Sequence, residues 1–257
     1  MSPYLAELIG TMMLVLLGNG VCANVSLNRT KAQDSGWIVI ATGWALAVTF
    51  AVYLVNHYSG AHLNPAVTLG LAMIGKFDLM ATDGAAMAIG GYITAQLAGG
   101  ILGGTLVWLA YLPHWKETED VDRIRGSFCN SPAIPNRISN LLSEIIGTFT
   151  LMLAVVAILV DHNLQLSFGN SQLDLSPAIG PPLVGITVWA VGLSLGGPTG
   201  YAINPARDLG PRIAHAILPI ANKGHSHWDY SWIPVVGPIL GGLAGAFFYQ
   251  LVWPAAS

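Results

Sequence analysis

Charge is scarce in this chain of 257 residues. Lys, Arg, Asp and Glu together make up 9% of it, against about 25% in an average soluble domain. So little charge cannot clothe a water-exposed globule of this size, and it points to a protein whose solvent is lipid. Cysteine is nearly absent as well. Cys22 and Cys129 are too few for a disulfide framework and stand in no metal-ligand spacing, so both read as bystanders. Met1 to Tyr4 carry no positive charge and no small-residue cleavage site follows the first apolar run; the opening segment reads as a retained helix rather than a signal peptide. There is no basic tract, and the net charge of −3 gives no reason to expect a nucleic-acid partner. No nucleophile, base and orienter stand together as an enzyme would need, and no cofactor or metal is expected.

Apolar sequence is plentiful. Hydrophobic residues make up 53% of the chain and the mean hydropathy is +0.59. Charges, Gly/Pro clusters and polar runs bound six candidate spans near 4–25, 37–58, 84–111, 139–160, 178–197 and 231–253, each longer than the roughly 17 residues that cross a bilayer. Two shorter apolar stretches, 65–75 and 205–218, remain. A helix of about ten residues rises about 15 Å, half of a hydrocarbon core about 30 Å thick, so these read as half-spans.

Both half-spans begin with the same tripeptide, Asn64-Pro65-Ala66 and Asn204-Pro205-Ala206, each with a glycine four residues before the Asn, at Gly60 and Gly200. Asn is a favoured helix N-cap and Pro a favoured first helical residue, so each copy predicts a helix start. A helix that starts at membrane depth leaves free N–H groups and a positive dipole end that lipid cannot satisfy. Two such starts imply a lined, watery path, with Asn64 and Asn204 capping their own helices and turning amide N–H donors into it.

The halves of the chain repeat. Ala6-Glu7-Leu8-Ile9-Gly10-Thr11 matches Ser143-Glu144-Ile145-Ile146-Gly147-Thr148, and the glycine-rich third and sixth spans correspond. Three spans per repeat is an odd number, so the second repeat (139–257) is inverted relative to the first (1–111), and 112–138 is a connecting loop. The expected fold is an all-α membrane protein: one channel domain, 1–257, of six spans and two re-entrant half-helices meeting near the midplane. Glycines of the third and sixth spans are expected at close helix crossings.

Glu7 and Glu144 are the glutamates within the spans. They either relay protons or accept hydrogen bonds from the re-entrant backbone, and their matched positions favour the structural duty. Arg207 should face the path, since a guanidinium in hydrocarbon is costly; the other reading pairs it with Asp208 or Asp229. His62 should line the path, with Gly60, Ala61, Leu63, Gly200, Ala202 and Ile203 beside it. His225 and His227 form His-x-His beside Asp229, which reads as a solvated loop rather than a metal site. Segment 161–177, with Asp161, His162 and Asp174, is either a gate or a plain loop, and reads as a loop.

The run Ser59-Gly60-Ala61-His62-Leu63-Asn64-Pro65-Ala66-Val67-Thr68 resembles the signature of the major intrinsic proteins, the aquaporins and glycerol facilitators. The likeness covers both Asn-Pro-Ala boxes, Arg207, the paired glutamates and the inverted repeat. It implies a right-handed bundle of six tilted helices and two half-helices, a homotetramer with one pore per subunit, and both termini in the cytoplasm of a plasma-membrane protein. Asp208, and Pro234 followed by Val235, look like the glycerol branch. The resemblance puts the selectivity filter on Trp44, Gly192, Tyr201 and Arg207, with Gly192 supplying width and Tyr201 standing where facilitators often have Phe.

The motif pair implies a passive channel that excludes ions and protons, and the resemblance implies that it passes glycerol, other small uncharged solutes and water. A strictly water-selective channel and an ion-coupled transporter are the alternatives. One count runs the other way on topology. Lys76 is the clear Lys/Arg facing the termini, whereas Arg29, Lys31, Lys116, Arg123, Arg125 and Arg137 lie opposite. Positive-inside counting alone puts the termini outside; the resemblance puts them inside and is the more specific of the two.

Overall fold

The computed structural model describes residues 1–160, 164–168 and 171–253, with side chains outside 167, 168, 171 and 172. Among the described residues the helices are α1 (Pro3–Ser26), α2 (Trp37–Ser59), α3 (Pro65–Met73), α4 (Leu79–Asp83), α5 (Ala85–Ala110), α6 (His114–Glu117) and α7 (Val121–Gly126). After them come α8 (Arg137–Val155), α9 (Ser176–Leu195), α10 (Pro205–Ile217) and α11 (Ile233–Val252). A π-helical turn, Val156–Val160, extends α8, and a two-stranded antiparallel hairpin, β1 (Gln165–Phe168) and β2 (Ser171–Asp174), precedes α9. Six helices among the described residues are long and apolar enough to cross a membrane. They are α1, α2, α5, α8 with its π turn, α9 and α11, and the six expected spans coincide with them to within a few residues.

Local chemistry sets the boundaries. Ser2 accepts a hydrogen bond from Leu5 N and Pro3 opens α1; Asn136 caps α8 through Ser139 N at 3.0 Å. Gly60 ends α2 in the left-handed region at φ 73°, a conformation glycine reaches without penalty. The half-helices α3 and α10 start where the Asn-Pro-Ala boxes place them, with Asn64 Oδ1 accepting from Ala66 N and Asn204 Oδ1 from Ala206 N and Arg207 N.

The half-helices cross over between repeats. α3 lies on α11, and α10 lies on α5. A Cβ at Gly242 of α11 would stand 2.8 Å from Ala66 O, and one at Gly100 of α5 would stand 2.6 Å from Ala206 O. Each half-helix therefore approaches the third span of the other repeat at a distance only glycine permits. Leu46, Phe50, Leu240 and Phe247 stay exposed on the outside of the bundle, where a six-span protein meets lipid.

Segment 112–138, expected as a connecting loop, is a folded cap. It contains α6 and α7 and buries Trp115, Ile124 and Phe128 in a second apolar cluster with Ala23, Leu27, Val107 and Ile220. Charge counting hid this, because three large apolar residues among many polar ones are enough to anchor a short segment to the helices beneath. Asp161 and His162, part of the stretch read as a gate or a loop, lie outside the described residues.

Candidate functional site

Two left-handed kinks build the centre of the molecule. Ahead of α3, Gly60, Ala61 and Leu63 have φ of 73°, 50° and 52°; ahead of α10, Gly200, Tyr201 and Ile203 have φ of 76°, 42° and 45°. Such values are sparsely populated for residues with a Cβ and rarer still for β-branched Ile203. Buried glutamates hold both segments. Glu7 accepts from His62 N at 2.9 Å, Leu63 N at 2.7 Å, Ser59 Oγ at 2.6 Å and Gln96 Nε2 at 2.7 Å. Glu144 accepts from Ala202 N at 2.9 Å and Ile203 N at 2.8 Å. Backbone N–H groups that a helix or strand would satisfy end on carboxylates instead.

The two helix starts meet. Asn64 Nδ2 donates to Ile203 O at 2.8 Å and Asn204 Nδ2 donates to Leu63 O at 2.8 Å. Each amide nitrogen spends one N–H on the opposite re-entrant segment rather than turning both into the path, and keeps the other.

A cavity of about 400 Å³ runs past this junction. Near one end it is lined by Trp44, Tyr201 and Arg207; its wall includes Gly60, Ala61, His62, Leu63, Ala202 and Ile203, and its far lining includes Asn56, Lys76, Asp78, Asp174 and Ser176. Val48, Val52, Leu71, Val155, Val184 and Val188 supply an apolar flank. His62 Nδ1 is 3.1 Å from Thr68 Oγ1, and its ring packs against Phe77 and Tyr92.

Arg207 does not pair with Asp208 or Asp229. Its Nη1 donates to Asn130 Oδ1, its Nη2 to Gly200 O at 3.4 Å, and its Cζ lies 4.1 Å from the Trp44 ring centroid. Asp208 pairs with Arg212, Nη2 to Oδ1 at 2.8 Å, with both side chains fully buried. Asn130 and Arg212 are the residues that sequence reasoning missed. Asn130 N donates to Asp208 Oδ2 at 2.7 Å, its Nδ2 to Thr199 O at 2.8 Å, and its carbonyl accepts from Arg212 Nη2 at 2.9 Å. Arg212 also donates to Ser226 O and His227 O. A signal for Arg212 existed, an acid and a base four apart on a membrane-depth helix; Asn130, in a polar loop, gave none.

Gly192 leaves less width than expected. A Cβ there would stand 2.8 Å from Tyr201 Cζ, so the phenol ring already fills the space. Trp44 is seated the same way, since a Cβ at Gly18 would lie 2.3 Å from its Cζ3. Cys22 is no bystander: its Sγ lies 3.3 Å from Trp44 Nε1 and accepts that N–H. Cys129 is buried in the cap beside Asn130, and burial pushes its thiol up to about 12, which leaves it unreactive near neutral pH. His225 and His227 stack at 4.5 Å, with His225 Nδ1 accepting from His227 N at 3.3 Å.

Known proteins resemble this chain in sequence and fold. The family model described as Major intrinsic protein matches residues 1–249. The chain belongs to the major intrinsic protein family. A probable glycerol uptake facilitator protein of Thermotoga maritima is 54% identical over 250 residues, covering 97% of this chain and 99% of that one. The glycerol uptake facilitator protein of Bacillus subtilis is 49% identical over 250 residues, covering 97% of this chain and 84% of its own length. Among solved structures, the aquaglyceroporin from Plasmodium falciparum aligns with a TM-score of 0.78 at 31% identity, covering 97% of this chain and 95% of that chain. The architecture is accordingly that of the aquaporins, and this major intrinsic protein is an integral, multi-pass membrane protein.

Proposed function

We propose that the protein is a passive channel conducting glycerol, other small uncharged solutes and water, with ions and protons excluded. The observation that carries this reading is the meeting of two Asn-capped helix starts on one cavity, each Asn bonded to the other segment's carbonyl. Each helix N-terminus presents roughly half a positive charge, so two opposed ends repel cations where the dielectric screens least. An oxygen passing this point accepts from the spare Asn donors, which turns its lone pairs toward the asparagines and away from the next molecule in file. A hydrogen-bonded chain able to hand on a proton is broken there.

Trp44, Gly192, Tyr201 and Arg207 form the selectivity filter in this reading. The ring faces take a carbon skeleton while Arg207 and backbone carbonyls take hydroxyls. The names of the relatives support glycerol as the solute. The protein resides in the plasma membrane with both termini cytoplasmic, works as a homotetramer in lipid, and does no covalent chemistry. One observation favours a second reading, a water-selective channel: the Tyr201 phenol occupies the width that Gly192 would leave.

Stopped-flow light scattering on proteoliposomes separates the two. Shrinkage and fast reswelling in a glycerol gradient, above empty liposomes, is the expected result. Fast water efflux without reswelling would replace the glycerol reading by the water-only one. Accumulation of solute against its gradient when a proton or sodium gradient is imposed would overturn both.

A further inference from the structure

The ring of Trp44 lines the cavity, but its polar edge is directed to α1. Trp44 Nε1 donates to Cys22 Sγ at 3.3 Å, and the α1 residue in the cavity wall is Leu14, not Cys22. Gly18 and Cys22 are four residues apart and share one face of α1. A Cβ at Gly18 would lie 2.3 Å from Trp44 Cζ3, so the glycine admits the ring and the cysteine meets its N–H. The neighbouring Gly43 brings the two helices close, since a Cβ there would stand 2.6 Å from Val21 Cγ1. Arg207 rests on the same indole, its Cζ 4.1 Å from the ring centroid.

Other N–H groups around this end of the cavity are committed to the protein as well. Trp37 Nε1 donates to Gly192 O at 2.9 Å, and Arg207 commits Nη1 to Asn130 Oδ1 and Nη2 to Gly200 O. A thiol sulfur is a weak acceptor, yet it is the atom this indole N–H meets. Without it, a ring that is 2% exposed would carry an unpaired donor beside the cavity, and a buried donor without a partner costs free energy. An oxygen in the path would then be its remedy. The wall would hold back what it now lets pass, and the ring would lose the contact that fixes its tilt.

We propose that Cys22 is a positioning residue of the channel: its sulfur keeps the Trp44 N–H on α1, so that the indole offers the path a ring face and no donor. The inference rests on the reading of Trp44 as a wall of the narrow part of the path. It assigns Cys22 a duty that acts through Trp44, without contact between the thiol and the solute.

The test separates the acceptor from the volume of the sulfur. Cys22→Ser keeps an acceptor and loses size, Cys22→Val keeps size and loses the acceptor, and Cys22→Ala loses both. Glycerol and water permeabilities are measured in proteoliposomes, with size-exclusion chromatography reporting the fold. The ratio of glycerol to water should fall about two- to tenfold in Cys22→Ala and Cys22→Val, the factor one net hydrogen bond is worth, and stay near the wild-type value in Cys22→Ser. Ultraviolet resonance Raman difference spectra against the wild type should show the indole N–H band shifted in Cys22→Ala and Cys22→Val. Recovery by Val and not by Ser would show the sulfur to be a filler and overturn the proposal, as would an unchanged ratio in Cys22→Ala or an N–H band that does not move. If Cys22→Ala fails to fold, the comparison of Val with Ser decides by itself. Wild-type vesicles that pass water and no glycerol would overturn the glycerol reading instead, and the same order of the variants in water flux, with the N–H band, would then decide the proposal.

Discussion

Asn130 receives the Nη1 hydrogen bond of Arg207 while its own backbone N–H ends on Asp208, the next residue after that arginine. The guanidinium at the cavity end is thus held by a loop residue that sequence distance separates from it by most of a repeat. Behind Asn130 stands the buried Asp208–Arg212 pair, whose charges are taken up by Asn130, Ser226 and His227. The whole assembly orients one side chain.

Removing the holder should loosen selectivity before it harms the fold. Asn130→Ala frees Arg207 Nη1 and leaves Thr199 O without its donor. The expected outcome is a lower ratio of glycerol to water permeability with the fold intact, read by stopped-flow and size-exclusion chromatography. Asn130→Gln, which keeps an amide, should recover less than half of the loss because its reach is longer. An unchanged ratio in Asn130→Ala would remove Asn130 from the filter.

Breaking the ion pair should act on stability. Asp208→Ala leaves the Arg212 guanidinium buried and uncompensated, a change worth about 3–5 kcal/mol for a buried pair. Poor folding or a strongly lowered unfolding temperature in detergent is expected. Exchanging both, Asp208→Ala with Arg212→Met, should recover part of that loss, since no lone charge then remains.

Replacing a carboxylate by an amide distinguishes the two duties open to Glu144. Gln at this position offers one acceptor oxygen where Ala202 N and Ile203 N now find two, a loss of about 1–3 kcal/mol for the group left unpaired. Glu144→Gln should lower thermal stability and slow all solutes alike, with no change in the response to an imposed proton gradient. Normal stability with an altered response to that gradient would point to proton relay instead.

Space behind Trp44 can be probed by a single methyl. Gly18→Ala places a Cβ where the indole now lies, so the ring must move. Glycerol permeability should fall by more than water permeability in the same vesicles, because the larger solute samples the displaced ring. Equal losses would mean that Trp44 does not border the narrow part of the path.

The architecture was legible because lipid imposes strong rules on sequence. Spans must be long and apolar, and a second Asn-Pro-Ala box at the matching place in an inverted repeat does not arise by chance in a chain of this length. Asn64 and Asn204 announced the helix starts. Contacts between residues with no shared periodicity were not legible. Nothing local ties Asn130 to Arg207, Cys22 to Trp44, or the phenol of Tyr201 to the gap at Gly192; each depends on how separate helices are set against one another. The cap was missed because its few large apolar residues, Trp115, Ile124 and Phe128, stand among many polar ones.

The crossing of half-helices between repeats also makes each half of the chain depend on the other. The main seat of α3 is α11, which lies far downstream of it in the chain, whereas α10 rests on α5, which precedes it. The first half-helix therefore gains its main seat only when the second repeat is in place, so neither repeat by itself supplies both a half-helix and the span it rests on.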